Sequence, residues 1–476
     1  MRNLRQALPP AGRSAVPTGD AARVRNGTRF KLFPQPSFLK AFARPITVTL
    51  SPPAGSVRSG PRDGRMYVVE PIAKRWPYGV VQGPHGSPFL YLPPWDGPSH
   101  GRAQPSAAGH FDHLQPGTRA FEAAHVYACV RWVLDVWERY LGRTVKWHFR
   151  RDYNALEMSL LDGLDNAAAG YGFLEVGAGA PAPGELLPFS LNFDVIAHET
   201  GHLIVYAEVG VPSPGAEDGE YFGFHESAAD LAALISAAHF EPVIDDLFEG
   251  TRGNLYALNE LNRIAELSQT TQIRLASNAV RLSEFGAGWT DEHDLSLPLT
   301  GAFFDILVDI FHGLLVERRL IGPALAALAD RVPRIPAEQH RVQAGFDKAY
   351  SVEPAGFREA FAHARDVTGR YIAEAWRRLN RDFLTYAQVA AAIMAVDREL
   401  FGGRYRRIIG VNFRWREIGE VRVGPRLASG SMQSHLRSVR TVLPEDQDAL
   451  PRLSYRERFL LARDWVRVAR GSRSLR

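Results

Sequence analysis

The 476-residue sequence predicts an α+β fold, with a β-rich N-terminal part and a mainly helical C-terminal part. Three observations carry this. Between residues 66 and 110, the short apolar runs MYVVE, YGVVQG and PFLYLPPW alternate with Gly/Pro turns, as strands do. From Phe121 the apolar residues switch to helical spacing, and beyond Asn192 the helical pattern dominates. Hydrophobic residues make up 45% and charged residues 23%, which is enough apolar material for a large core and excludes a chain disordered throughout.

Taken in order, residues 1–65 are rich in Pro, Gly, Ser and Arg and show no sustained periodicity. They are expected to form a flexible basic arm with one strand at residues 46–50. Residues 66–192 are expected to form a β-rich subdomain with one long helix. That helix is FEAAHVYACVRWVLDVWERY, residues 121–140, with Gly142 as its natural stop. Two strand-like pieces follow it, TVKWHF and GYGFLEVGAG. Residues 193–421 are expected to form a helical subdomain, and residues 422–476 a basic tail that ends in an amphipathic stretch. No internal repeat is present.

The net charge of +4 conceals an uneven distribution. Residues 1–65 carry 12 Lys/Arg against 2 Asp/Glu, residues 420–476 carry 12 against 6, and the remainder carries 32 against 44. Residues 152–251 contain 18 acidic residues and no Lys or Arg. The ends alone would suggest nucleic acid, but this acidic middle would repel phosphate, so no nucleic-acid partner is expected. The single cysteine, Cys129, excludes an intrachain disulfide and reads as a small buried hydrophobe on the long helix. The most apolar stretch, residues 301–316, is interrupted by Asp305, Asp309 and His312, so no transmembrane segment is expected. The N-terminus has prolines and charges where a signal peptide needs an apolar run, which favours a cytoplasmic location.

The chemistry concentrates in that acidic middle. FDVIAHETGHLIVYAEVG, residues 193–210, contains His198-Glu199-Thr200-Gly201-His202. On a helix, i and i+4 share one face, so two imidazoles at this spacing can take two corners of a zinc tetrahedron. Glu199 lies about 100° further round the axis, beside the metal without ligating it. Asp194 is positioned to cap the helix and Gly210 to end it. Then comes GFHESAAD, in which Glu226 and Asp230 again share one helix face. Two carboxylates there would repel each other without a cation. Glu226 is therefore expected to be the third metal ligand, 24 residues after His202, and Asp230 to accept the N–H of a ligand histidine.

HETGH followed by HESAAD resembles the thermolysin-like zinc metalloendopeptidases, the gluzincins, whose pattern is HExxH…ExxxD. The likeness covers roughly residues 111–421 and is weakest over 247–290. It implies a thermolysin-like fold: a β-rich N-terminal subdomain, an active-site helix and a C-terminal helical subdomain. Its substrate-binding edge strand carries over to Asn166 and Ala167, and its oxyanion-stabilising histidine to His293 in HDLS. A tyrosine assists the oxyanion in the family, and Tyr221 is the nearest candidate. Asp194 corresponds to an aspartate that binds structural Ca²⁺ there, although LAALISAAHF lacks the further carboxylates of that cluster. His225 replaces the family's usual Asn before the glutamate ligand, and Ala168 and Ala169 replace aromatics, which widens the groove.

The resulting expectation is a zinc-dependent endopeptidase. Glu199 would be the general base and His293 the oxyanion donor, and the peptide or protein substrate would be drawn from basic sequences by the acidic middle. Two other readings use the same residues. One is a catalytically silent gluzincin-fold binding module, against which the intact Glu199 argues. The other is a zinc hydrolase of a non-peptide amide, which shares the metal chemistry.

Overall fold

The strand-like runs form several small sheets rather than one. The structure, a computed structural model, describes residues 26–419 apart from 75, 83–87, 163, 165, 183–184, 214–215, 217–218, 258, 260, 267–271, 287, 290 and 331–337. The expected basic tail, and residues 1–25 of the expected arm, lie outside the described residues.

Part of the arm differs from expectation. Strands β1 (Gly27–Leu32) and β2 (Ile46–Pro53) pair antiparallel, with Leu32 opposite Ile46 and Thr28 opposite Leu50. Phe30, Leu32, Val48 and Leu50 are buried, and the Phe30 ring stacks on Phe111 at 4.8 Å and on Tyr127 at 5.3 Å. Residues 26–65 are thus folded rather than flexible. Their partners lie about 80 to 100 residues further on, where a local reading of periodicity does not reach.

Next come β3 (Met66–Val69) and the antiparallel pair β4 (Gly79–Gln82) and β5 (Pro88–Tyr91). Helix α1 (Arg119–Leu141) begins where the Thr118 side chain accepts from the Phe121 N–H, and stops at Gly142 with φ 66°. It is buried almost all round, as a central helix must be. TVKWHF is not a strand. Val145, Trp147 and Phe149 alternate into the core, but the segment joins no ladder: the Trp147 indole donates to the Arg65 carbonyl and the Val145 N–H to Glu138. Its alternation records burial rather than pairing.

Strands β6 (Leu156–Leu160), β7 (Ala167–Ala169) and β8 (Phe173–Val176) join β3 in a four-stranded sheet of order β3-β6-β8-β7. The first three run parallel, and β7 is an antiparallel edge strand. The hairpin β9 (Ala178–Ala182) and β10 (Glu185–Pro188) follows.

One face of the sheet carries a buried polar clamp. Lys74 Nζ lies 2.7 Å from Glu175 Oε1, with side chains 1% and 0% exposed, and 3.0 Å from the centre of the Tyr78 ring. Glu157 accepts from the hydroxyls of Tyr67 and Tyr78 and from the Trp95 N–H. Removing one member of a buried pair strands the other charge. Lys74→Met is expected to destabilise the protein by about 3–5 kcal/mol, and Lys74→Met with Glu175→Gln to recover part of that loss. Urea unfolding of the three variants checks this: equal stability of Lys74→Met and wild type would contradict it.

The second half is helical: α2 (Phe193–Glu208), α3 (Gly219–Ala237), α4 (Glu241–Thr251), the hairpin β11 (Arg263–Glu266) and β12 (Gln272–Leu275), then α5 (Glu292–Glu317), α6 (Pro323–Ala329), α7 (Gln339–Val352), α8 (Pro354–Trp376), α9 (Tyr386–Phe401) and α10 (Arg406–Trp415). The composition of α5 would suit a membrane crossing, yet 78% of its most apolar window is buried inside the protein, as in a core helix. Trp137 of α1 joins the halves, stacking on Trp376 of α8 at 4.6 Å and donating to the Ala232 carbonyl of α3. The fold is mixed α/β, with its small sheets in the N-terminal half apart from the β11–β12 hairpin.

Candidate metal centre

Helix α2 starts at Asn192, whose side chain accepts from the Val195 N–H; the capping expected of Asp194 falls to this residue. Phe193, Ile196, Ala197, Leu203 and Ile204 anchor the helix in the core. Past its C-terminus, Gly210 turns with φ 99° and its N–H meets the Val205 carbonyl. Helix α3 crosses closely at Gly201. A Cβ there would lie 2.8 Å from Ala229 Cα and 2.9 Å from Ala232 Cβ, so the central glycine of HETGH permits the approach. This contact carries Glu226 to the two histidines.

His198, His202 and Glu226 form a buried group whose ligand atoms all lie within 4.8 Å of one another, and the group could hold a metal ion. His198 Nε2 is 3.3 Å from Glu226 Oε2, and His202 Nε2 is 3.7 Å from Glu226 Oε1. Behind them, His198 Nδ1 lies 2.8 Å from Asp230 Oδ1, and His202 Nδ1 lies 2.8 Å from His225 Nδ1. Asp230 is fully buried.

These contacts assign the protons. A carboxylate only accepts, so His198 carries its proton on Nδ1, and in the neutral ring Nε2 is a lone pair facing Glu226. Two acceptors 3.3 Å apart, buried, are unfavourable unless a cation lies between them. Glu226 Oε2 correspondingly has no hydrogen-bond partner among the described residues. Burial pushes the Glu226 carboxyl up, but the imidazoles of His202, His293 and His198 outweigh this and hold it well below the usual carboxylate range. Burial also pushes His202 well below the ordinary histidine value, against the opposing pull of Glu226. A carboxyl held low and an imidazole held low both ease the loss of the protons that a metal ion must displace.

Two further groups flank the triangle. Glu199 is buried but ligates nothing in the group; its Oε2 accepts from the backbone N–H of Ala169 in β7 at 2.8 Å. His293, in the first turn of α5, brings Nε2 to 3.3 Å from Glu226 Oε2 while its side chain stays 43% exposed. Asp291, the N-cap of α5, holds it by accepting from the His293 backbone N–H at 2.7 Å and lying 2.8 Å from Nδ1. Hydrogen bonding from His293 in turn keeps the Asp291 carboxyl below its ordinary value.

His198, Glu199, His202, Glu226, Asp230 and His293 are therefore gathered in one place. Asn166 and Ala167 lie on or beside the edge strand β7, the former half-buried, with its carbonyl accepting from Gly177. Tyr221 stands apart from the role expected of it: its hydroxyl donates to the Gly210 carbonyl at 2.9 Å, because it falls at the start of α3, more than a turn before Glu226. Asp194 lies outside the group formed by His198, His202 and Glu226, and its Oδ1 accepts from the Gln35 amide. Asp291 and the Ala169 N–H were not anticipated. The former had a weak signal, an acid two residues before His293; a backbone N–H has none. Comparison with protein-family models and with curated proteins finds no match for this chain.

Proposed function

We propose that the protein is a zinc-dependent endopeptidase with a thermolysin-like arrangement of helices and edge strand. The observation that carries this reading is the gathering of His198 Nε2, His202 Nε2 and a Glu226 carboxylate oxygen into one buried group within 4.8 Å of one another. Two imidazoles and one carboxylate suit zinc and leave a fourth position open, the composition of a catalytic rather than a structural site. Bound there, zinc would act as a Lewis acid towards water and a substrate carbonyl.

The remaining steps belong to the chain. Glu199, oriented by the Ala169 N–H, takes a proton from the attacking water and delivers it to the leaving amine. Asp291 favours the imidazolium of His293, whose Nε2–H then stabilises the oxyanion. The edge strand β7, preceded by Asn166, is the element with which an extended peptide would pair.

The test is metal content together with cleavage of a mixed peptide library. The expected result is one zinc per chain and cleavage that stops on chelation and returns with zinc. A chain that holds zinc but cleaves no peptide would overturn the endopeptidase reading and leave the metal site standing. A chain that binds no zinc would overturn both.

A further inference from the structure

We propose that His225 is the positioning residue that holds His202 as a metal ligand, by accepting its Nδ1 proton. The inference rests on the zinc reading above and adds a residue to it. The two ring planes are parallel to within 6°, with centroids 4.7 Å apart and Nδ1 atoms 2.8 Å apart. The two Nδ1 atoms lie within hydrogen-bond distance of each other, so one of them carries a proton and donates while the other accepts.

The direction of this hydrogen bond follows from the metal side. His202 Nε2, 3.7 Å from Glu226, must be a lone pair to bind an ion. Its Nδ1 then carries the proton and donates, and His225 Nδ1 accepts. The acceptor ring is itself fixed: His225 is 4% exposed, with the Tyr206 ring at 4.2 Å and the Tyr221 ring at 5.8 Å. The two ligand histidines thus have unlike partners, a carboxylate for His198 and an imidazole for His202. A second carboxylate would add another negative charge around the ion, whereas a neutral imidazole orients the ligand without doing so.

The test uses the full chain with His225→Leu and His225→Asn. Asn Oδ1 stands the same two bonds from Cβ as His Nδ1, so it can accept the proton, whereas Leu only fills space. Zinc affinity is read by competition with a chromogenic chelator, and metal-free melting reports folding. His225→Leu is expected to weaken zinc binding about 10–100-fold, and His225→Asn to restore most of it, with metal-free melting little changed in both. Equal affinity of Leu and wild type, or equal loss in Leu and Asn, would make His225 a packing residue and overturn the inference while the zinc reading stands. Wild type that binds no zinc removes both. Long-range ¹H–¹⁵N spectra of the unaltered protein give a check free of variants: a proton on His225 Nδ1 rather than on His202 Nδ1 also overturns it.

Discussion

Replacing Glu199 with Gln is expected to abolish peptide cleavage while leaving the metal bound. Glu199 contributes no atom to the ligand triangle, and its contact with Ala169 uses only one carboxylate oxygen as acceptor. Glutamine is nearly isosteric and keeps an oxygen for that N–H. What it loses is the ability to take a proton. General-base catalysis typically contributes about 10²–10⁴ in rate, so kcat and kcat/KM should fall together by at least that much. Zinc content and melting temperature should match wild type. Steady-state kinetics on one cleaved peptide, with metal analysis of the same sample, decides the matter. Undiminished turnover in the variant would remove Glu199 from the chemistry.

Glu226→Gln is expected to act the other way, losing metal without losing the fold. The substitution removes the only formal negative charge among the three ligands. Affinity should fall by more than the roughly 10–100-fold that loss of a supporting residue costs, so the chain should emerge from gel filtration without zinc. In the metal-free state the imidazoles of His202, His293 and His198 favour the ionised Glu226 carboxyl, and the neutral amide gives up that support. The metal-free variant should therefore stay folded but melt below metal-free wild type near neutral pH. Retention of zinc at wild-type affinity would exclude Glu226 as a ligand.

The parts of the site that were legible in the sequence are those set by a single helix. His198 and His202, like Glu226 and Asp230, share a face because 3.6 residues complete a turn, and no tertiary knowledge is needed to see it. His293 depends on the placement of α5 beside α3 and was reached only through resemblance to a family. The Ala169 N–H was illegible, since the backbone of every non-proline residue offers the same donor. Among the elements, α1 was readable from its apolar spacing and the Gly142 stop. Strand β2 was anticipated at residues 46–50, but β1 and its pairing were missed because Phe30 finds its partners on distant parts of the chain, and TVKWHF misled because alternating burial does not require a neighbouring strand.

At Gly201 the absence of a side chain has a thermodynamic consequence. The closeness of α2 to α3 and the size of the ligand triangle are one dimension of the molecule, measured at two ends of the same contact. An ion that draws the three donors together therefore draws the two helices together as well, and a core that lets them drift apart opens the triangle. Occupancy of the site and cohesion of the helical half are linked equilibria, so each reports on the other.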